Sequence, residues 1–147
     1  MPAAAAVVNP KREDSRYPFD GLTGTGLSFK LVEALFQRIG QPPPYHLADL
    51  AALGTIADVG PLTGENRFLV KRGLEQINKT QHLGIRALVE RSGLKWGSIN
   101  TESLSFRLIP RLNAAGRVGD ASLSLKLLTS DSPEDSRSLV ETLEAYN

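Results

Sequence analysis

Apolar residues recur at intervals of three or four along most of the chain, which is the spacing of amphipathic helices. Phe29, Val32, Phe36 and Ile39 form one such stripe in a helix predicted over residues 27–38, which Gly40 ends. The same pattern predicts further helices, and these cover residues 47–57, 65–77, 85–91, from 101 to about 110, 121–128, and from 133 onward. The sequence therefore predicts a mainly α-helical chain.

Two of these helices carry additional information. The helix at 47–57 is apolar on all sides, and such a helix is buried. The last helix has the clearest start, because Ser132 can cap it, Pro133 suits the first helical position and Asp135 completes a variant of the capping box. The residues predicted on its buried side are Leu139, Leu143 and Tyr146.

The start of the chain has a different pattern. Residues 3–8 are a short apolar run that ends in Asn9-Pro10, which predicts one short buried strand. A strand needs a partner for its backbone hydrogen bonds. We therefore expect at most one or two short strands near the N-terminus.

The composition narrows the possible functions. The 147 residues are 41% hydrophobic and 22% charged, as in one ordinary soluble domain or a piece of a larger one. The chain has no cysteine and only two histidines, which excludes disulfides and thiolate zinc sites and disfavours histidine-rich metal chemistry. A net charge of +1 does not suggest a strongly basic coat protein for nucleic acid, and no apolar run reaches the roughly 18 residues of a membrane span. We expect a cytoplasmic protein.

The distribution of charge says more than its total. Residues 105–127 carry a local charge of +3, and residues 131–147 carry a local charge of −4. Either both segments are solvated surface, or the basic segment meets an anion such as phosphate.

A glycine-rich turn at residues 21–26 precedes the first predicted helix. It lacks the GK[ST] ending of a phosphate-binding P-loop, and its glycine order differs from the dinucleotide fingerprint. The turn is explained as a flexible helix entry, although the N–H groups there could also attract a phosphate.

Two further features could carry chemistry. Asp58 ends the buried helix at 47–57, where the helix dipole disfavours an anion, so it is either a structural turn residue or needs an arginine or a divalent cation. In the segment at 110–117, Arg111, Asn113 and Arg117 surround an Ala-Ala-Gly step and could bind phosphate oxygens, or the segment is a solvent-facing connection between two helices. Because the chain has no D-x-D or paired-histidine motif, neither feature forms an active site unaided.

Five strings occur in an order that resembles a known family. They are VVNPKR at 7–12, YPF at 17–19, GTG at 24–26, LGTIADV at 53–59 and RLNAAGR at 111–117. The set resembles the RecJ-type single-stranded-DNA-specific 5′→3′ exonucleases of the DHH phosphoesterase family, and the resemblance covers nearly the whole chain.

The resemblance implies a manganese- or magnesium-dependent nuclease that hydrolyses DNA phosphodiesters in repair and recombination. It implies that Asp58 is a metal ligand and that Arg111, Asn113 and Arg117 contact the DNA. It also implies an internal piece of a longer protein, with residues 1–60 as the end of an α/β DHH catalytic domain and residues 61–147 as a helical segment leading to a second domain. The other metal-binding motifs of the family precede VVNPKR and are missing here, so we expect no complete catalytic set and no activity of the chain alone.

Two alternatives remain open at the sequence level. The chain could be a self-sufficient helical module that binds single-stranded DNA without catalysis. It could also derive from another DHH phosphoesterase that acts on small nucleotides. The oligomeric state is not predicted.

Overall fold

The computed structural model describes residues 3–147 and is mainly helical, as predicted. The longer helices in order are α1 (Gly24–Arg38), α2 (Ala48–Ala57), α3 (Gly64–Ile77) and α4 (Leu83–Arg91). They are followed by α5 (Thr101–Ser103), a π-helical turn (Leu104–Leu108), α6 (Ile109–Arg117), α7 (Ser122–Leu128) and α8 (Pro133–Tyr146). No helix within the described part of the chain is long and apolar enough to cross a membrane.

The glycine-rich turn is a helix entry. The hydroxyl of Thr23 accepts a hydrogen bond from the Gly26 N–H at 3.2 Å, so α1 begins three residues earlier than predicted. The Asn66 side-chain amide donates to the carbonyl oxygens of Gly21 (2.7 Å) and Pro61 (3.1 Å). The turn is thereby tied to the loop between α2 and α3.

Helix α2 lies against both α1 and α3 and is buried, as its all-round apolar sequence predicts. It approaches α3 closely at Gly73, where a Cβ atom would lie 2.3 Å from the Ala48 carbonyl oxygen. A side chain at Gly73 would therefore force the two helices apart. The buried residues of this first core are Leu22, Phe29, Ala48, Ala51 and Leu69.

A second core joins α4, α6, α7 and α8. Its largest fully buried side chains are Ile77, Ile85, Leu88, Leu104, Leu108, Leu127 and Leu143. Helices α4 and α7 meet at Gly84, where a Cβ atom would lie 1.9 Å from the Leu127 carbonyl oxygen. Glycine is therefore required for this contact.

The segment from Thr101 to Arg117 is one continuous helical rod with a wide turn in the middle. Pro110 has no N–H and cannot donate to the Phe106 carbonyl in the α-helical manner. The turn before it is π-helical instead, with the Ile109 N–H donating to the Leu104 carbonyl. The interpretation of residues 110–117 as a connection between helices is therefore wrong, because the whole segment lies in α6.

Several predicted apolar contacts are absent. Residues 3–8 are exposed, and no strand occurs within residues 3–147, so the predicted buried strand is wrong; no partner strand receives its backbone groups. Ile39 is 69% exposed at the end of α1, and Tyr146 is 43% exposed in the last turn of α8. Phe106 is 73% exposed because it lies on the side of the rod opposite to the buried Leu104 and Leu108.

The predicted start of α8 is confirmed. The Ser132 hydroxyl accepts a hydrogen bond from the Asp135 N–H at 3.2 Å, and Pro133 occupies the first turn. Gly93 follows α4 with a φ of +65°, the left-handed conformation that glycine favours directly after a helix.

A two-point ion pair joins α6 to α8. The Arg111 Nε and Nη2 atoms donate to the two Glu144 carboxylate oxygens at 2.6 Å and 3.0 Å. Both side chains are largely shielded from solvent, and the hydrogen bonds from Arg111 lower the pKa of Glu144. Because its pKa is lowered on folding, Glu144 stabilises the folded state above its ordinary pKa of about 4.5, and this stabilisation is lost as the pH falls through the folded pKa.

We predict that Glu144→Gln lowers the stability of the chain by about 1 kcal/mol at pH 7, which corresponds to a fall in Tm of about 2–4 °C. The difference from the parent should disappear below the folded pKa of Glu144. Thermal unfolding followed by circular dichroism between pH 7 and pH 3 measures it. Glu141→Gln, an exposed change on the same helix, is the control, and an equal loss in both variants contradicts the role of the ion pair.

Candidate nucleic-acid interface

Asp58 lies at the C-terminal end of α2 and is exposed. The turn after it is closed by two hydrogen bonds, from the Gly60 N–H to the Thr55 carbonyl (3.0 Å) and from the Val59 N–H to the Ile56 carbonyl (3.1 Å). This pair of bonds is the Schellman motif, which usually has glycine at the position of Val59. The Asp58 carboxylate is therefore held at a well-defined helix end.

Val59 adopts a strained conformation directly beside Asp58. Its φ is +52°, a value that a β-branched residue rarely takes and that costs about 1–2 kcal/mol. The Val59 side chain is 88% exposed, so no packing within the described residues offsets this strain. Strain of this kind is concentrated at functional sites.

Hydroxyl groups hold the start of α1 against the end of α2. The Oγ1 atoms of Thr23 and Thr55 lie 3.1 Å apart, and those of Thr23 and Thr25 lie 3.2 Å apart. A Cβ atom on Gly60 would lie 2.6 Å from the Thr23 methyl group. The turn that follows Asp58 therefore packs directly on the start of α1.

Two of the predicted DNA contacts share a cleft with the end of α2. Asn113 and Arg117 lie on α6, are exposed, and line a cleft of about 680 Å³. Thr25 and Ala57 line the same cleft, and Ala57 is the residue before Asp58. The structure thus brings Asn113 and Arg117 to the cleft that the end of α2 borders.

Arg111 is in a different environment. Its guanidinium donates to Glu144 at two points and to the Arg107 carbonyl oxygen at 2.5 Å. The contact of Arg111 with DNA remains a prediction. In the structure, Arg111 connects α6 to α8 through its ion pair with Glu144.

Asp58 by itself does not make a metal site. Within residues 3–147, no three histidine, cysteine, aspartate or glutamate side chains are grouped so that they could hold a metal ion. Since metal sites of nucleases need several converging ligands, the described residues do not fit a metal ion unaided and supply one carboxylate at most.

A fully buried carboxylate, Asp49, was not found from the sequence. It accepts hydrogen bonds from the Leu50 N–H (2.8 Å), His82 Nδ1 (2.9 Å) and the Thr80 hydroxyl (2.5 Å). These bonds tie the start of α2 to the loop before α4. The position of Asp49 in the first turn of a helix was the available signal, because the helix dipole favours an acid there.

Comparison with known proteins gives a consistent result, although no family model matches the chain. The chain is 40% identical over 147 residues to a protein of Bacillus subtilis, and this match covers 100% of the chain. It is 46% identical over 125 residues to a protein of Thermus thermophilus, and this match covers 85% of the chain. It is 39% identical over 159 aligned positions, and again along its full length, to a protein of Escherichia coli. The chain spans only 18%, 18% and 28% of the length of these three relatives.

The three relatives are of one class, single-stranded-DNA-specific exonucleases. More particularly, each of them is a RecJ. Crystal structures of Thermus thermophilus RecJ with Mn²⁺ and with Mg²⁺ match 91% and 93% of the chain at TM-scores of 0.80 and 42% identity, and the match covers 20% and 21% of those proteins. In sequence and in fold, the chain is therefore similar to one segment of the RecJ exonucleases, and the resemblance inferred from its motifs is confirmed.

We predict that Asp58→Asn stabilises the chain by about 0.3–1 kcal/mol, because it removes a negative charge from the C-terminal end of α2. Thermal unfolding at low ionic strength should show a small rise in Tm. Asp135→Asn is the opposite-sign control, since Asp135 lies in the first turn of α8, where the dipole favours an anion. A fall in Tm for Asp58→Asn contradicts the prediction and shows that the carboxylate has a structural partner.

Proposed function

We propose that the chain is a helical segment of a metal-dependent, single-stranded-DNA-specific 5′→3′ exonuclease, which hydrolyses phosphodiesters in DNA repair and recombination. The observation that carries this proposal is the cleft that Asn113 and Arg117 share with the Asp58-bearing end of α2. The similarity to RecJ supports it. The proposal places the chain in the cytoplasm.

In this proposal the cleft holds part of the DNA backbone. Arg117 has no protein partner within residues 3–147, so its planar guanidinium is available for two phosphate oxygens, and Asn113 adds a neutral donor one turn earlier. Leu50, Leu53 and Leu112 provide an apolar wall for sugar and base. Arg111 contributes through the N–H groups that neither Glu144 nor the Arg107 carbonyl uses.

The proposal gives Asp58 the role of one ligand to Mn²⁺ or Mg²⁺, ions that are bound in the similar RecJ structures. Such an ion, when bound, would stabilise charge on a phosphodiester. The exposure of the carboxylate leaves it open to groups from outside residues 3–147, which must provide the other ligands. In this division, residues 1–60 belong to the catalytic domain and residues 61–147 to the helical segment beyond it.

We predict that the purified chain does not digest single-stranded DNA, because one carboxylate does not hold the metal. The assay is digestion of a 3′-labelled oligonucleotide with Mn²⁺. Processive 5′→3′ digestion by the chain alone overturns the prediction.

The role of Asp58 is tested in Thermus thermophilus RecJ with its matching segment replaced by this chain. If the chimera is active, Asp58→Ala should reduce its activity by about 100-fold or more, because loss of even an outer-shell partner of a metal ligand costs about 10- to 100-fold. Asp135→Ala should leave the activity unchanged. Near-normal digestion by the Asp58→Ala chimera contradicts the assignment of Asp58.

We predict that the chain binds oligothymidine and that Arg117→Ala weakens binding about 3- to 10-fold. The slope of log K against log salt concentration should fall by about 0.7, the value for one phosphate contact on a single strand. Fluorescence anisotropy at several salt concentrations measures both quantities, and Asn113→Ala should weaken binding without changing the slope.

Arg67→Ala is the matched control for Arg117→Ala. Arg67 is also an exposed helical arginine, but it lines a different cleft beside α3. An equal effect of both arginine variants shows non-specific attraction, and it removes the support for the proposed cleft.

A further inference from the structure

Phe106 is the most exposed aromatic side chain in the described part of the chain. It is 73% exposed, whereas the next aromatic residue, Phe68, is 46% exposed and lies against the ring of Tyr45. Phe106 has no such ring contact within residues 3–147. The structure therefore presents one unpartnered aromatic ring to solvent.

The position of Phe106 on the rod connects it with the cleft. Phe106, Pro110, Asn113 and Arg117 follow one another at intervals of four, three and four residues, so they form one stripe along the helical surface. The π-helical turn at Leu104–Leu108 holds nearly one residue more than an α-helical turn, but only its second half lies between Phe106 and Pro110. Phe106 and Pro110 therefore stay on the same side of the rod. The stripe is about 16 Å long, which is enough for several nucleotides.

The chemistry of the stripe is that of a surface for single-stranded nucleic acid. Such surfaces combine cationic groups for phosphates with aromatic rings on which bases stack. Arg117 and Asn113 supply the polar part. Arg107, the exposed residue after Phe106, adds a further cation, although its guanidinium donates one N–H to the Ser92 carbonyl at 2.9 Å. Glu102, one turn before Phe106, is exposed and would repel a phosphate, so the strand would lie on the part from Phe106 to Arg117.

We propose that Phe106 is a base-stacking residue, on which a nucleobase of single-stranded DNA lies while Asn113 and Arg117 contact the phosphates. This inference rests on the proposed function of the cleft and adds to it a contact that depends on the base. The turn before Pro110 holds the ring on the outside of a rigid rod, so that little order has to be gained on binding.

The test compares two oligonucleotides of equal length and charge, oligothymidine and an oligomer of abasic residues, with the parent chain, Phe106→Leu and Phe106→Trp. Phe106→Leu keeps an apolar side chain without a ring, and it should weaken binding of oligothymidine about fivefold or more. It should leave binding of the abasic oligomer unchanged. Phe106→Trp should bind oligothymidine at least as well as the parent.

Each other outcome has its own meaning. If the parent chain binds neither oligomer, the proposed function of the cleft fails. If the parent binds both and Phe106→Leu changes neither affinity, or weakens both equally, stacking on Phe106 is overturned while the phosphate-binding cleft stands. Circular dichroism melting of each variant shows that a loss of binding is not a loss of folding.

Discussion

The burial of most of α2 is the constraint on which the rest of this structure depends. An apolar helix of ten residues can be buried only if other helices cover it, and α1 and α3 do so. The contact with α3 is close enough to require glycine at position 73. Because α2 is fixed along its length, the residue at its end, Asp58, has a fixed position relative to α1 and to the cleft.

The two ends of α2 show opposite relations between charge and structure. At the start, Asp49 is fully buried, yet it lies where the dipole favours an anion and accepts three hydrogen bonds. At the end, Asp58 lies where the dipole disfavours an anion and has no partner within residues 3–147. The first carboxylate is explained by the stability of the fold, whereas the second is not.

The sequence alone predicts most of the helices, and it also predicts details that depend only on neighbouring residues. The Ser132 cap follows from local chemistry and is confirmed, and the left-handed conformation of Gly93 follows from a local rule of the same kind. The buried strand at residues 3–8 was wrong because strand formation depends on a distant partner.

The candidate nucleic-acid interface could be predicted only in part, because motifs are local whereas the contacts between helices join distant residues. The motifs identified Asp58, Asn113 and Arg117. The cleft that Asn113 and Arg117 share with Ala57, the neighbour of Asp58, depends on how α2 packs near α6. The pairing of Arg111 with Glu144 joins residues 33 positions apart, and no local pattern indicates it. The exposure of Phe106 depends on how the rod packs on the other helices, and no local pattern indicates it.

Three residues near the proposed DNA surface have a charge, a backbone conformation or an exposure that does not favour the stability of the fold. Asp58 opposes a helix dipole, Val59 has a positive φ that glycine would adopt more easily, and Phe106 exposes an apolar ring. At the start of α8, by contrast, the cap and the acidic residues of the first turn agree with one another, as expected where a sequence is selected only for its fold. A single exposed apolar residue needs no explanation. Here, however, a carboxylate and a strained valine lie at one helix end, next to a cleft that Arg117 lines, and an aromatic ring lies farther along the same rod as Arg117. This combination is better explained by a ligand than by the stability of the fold.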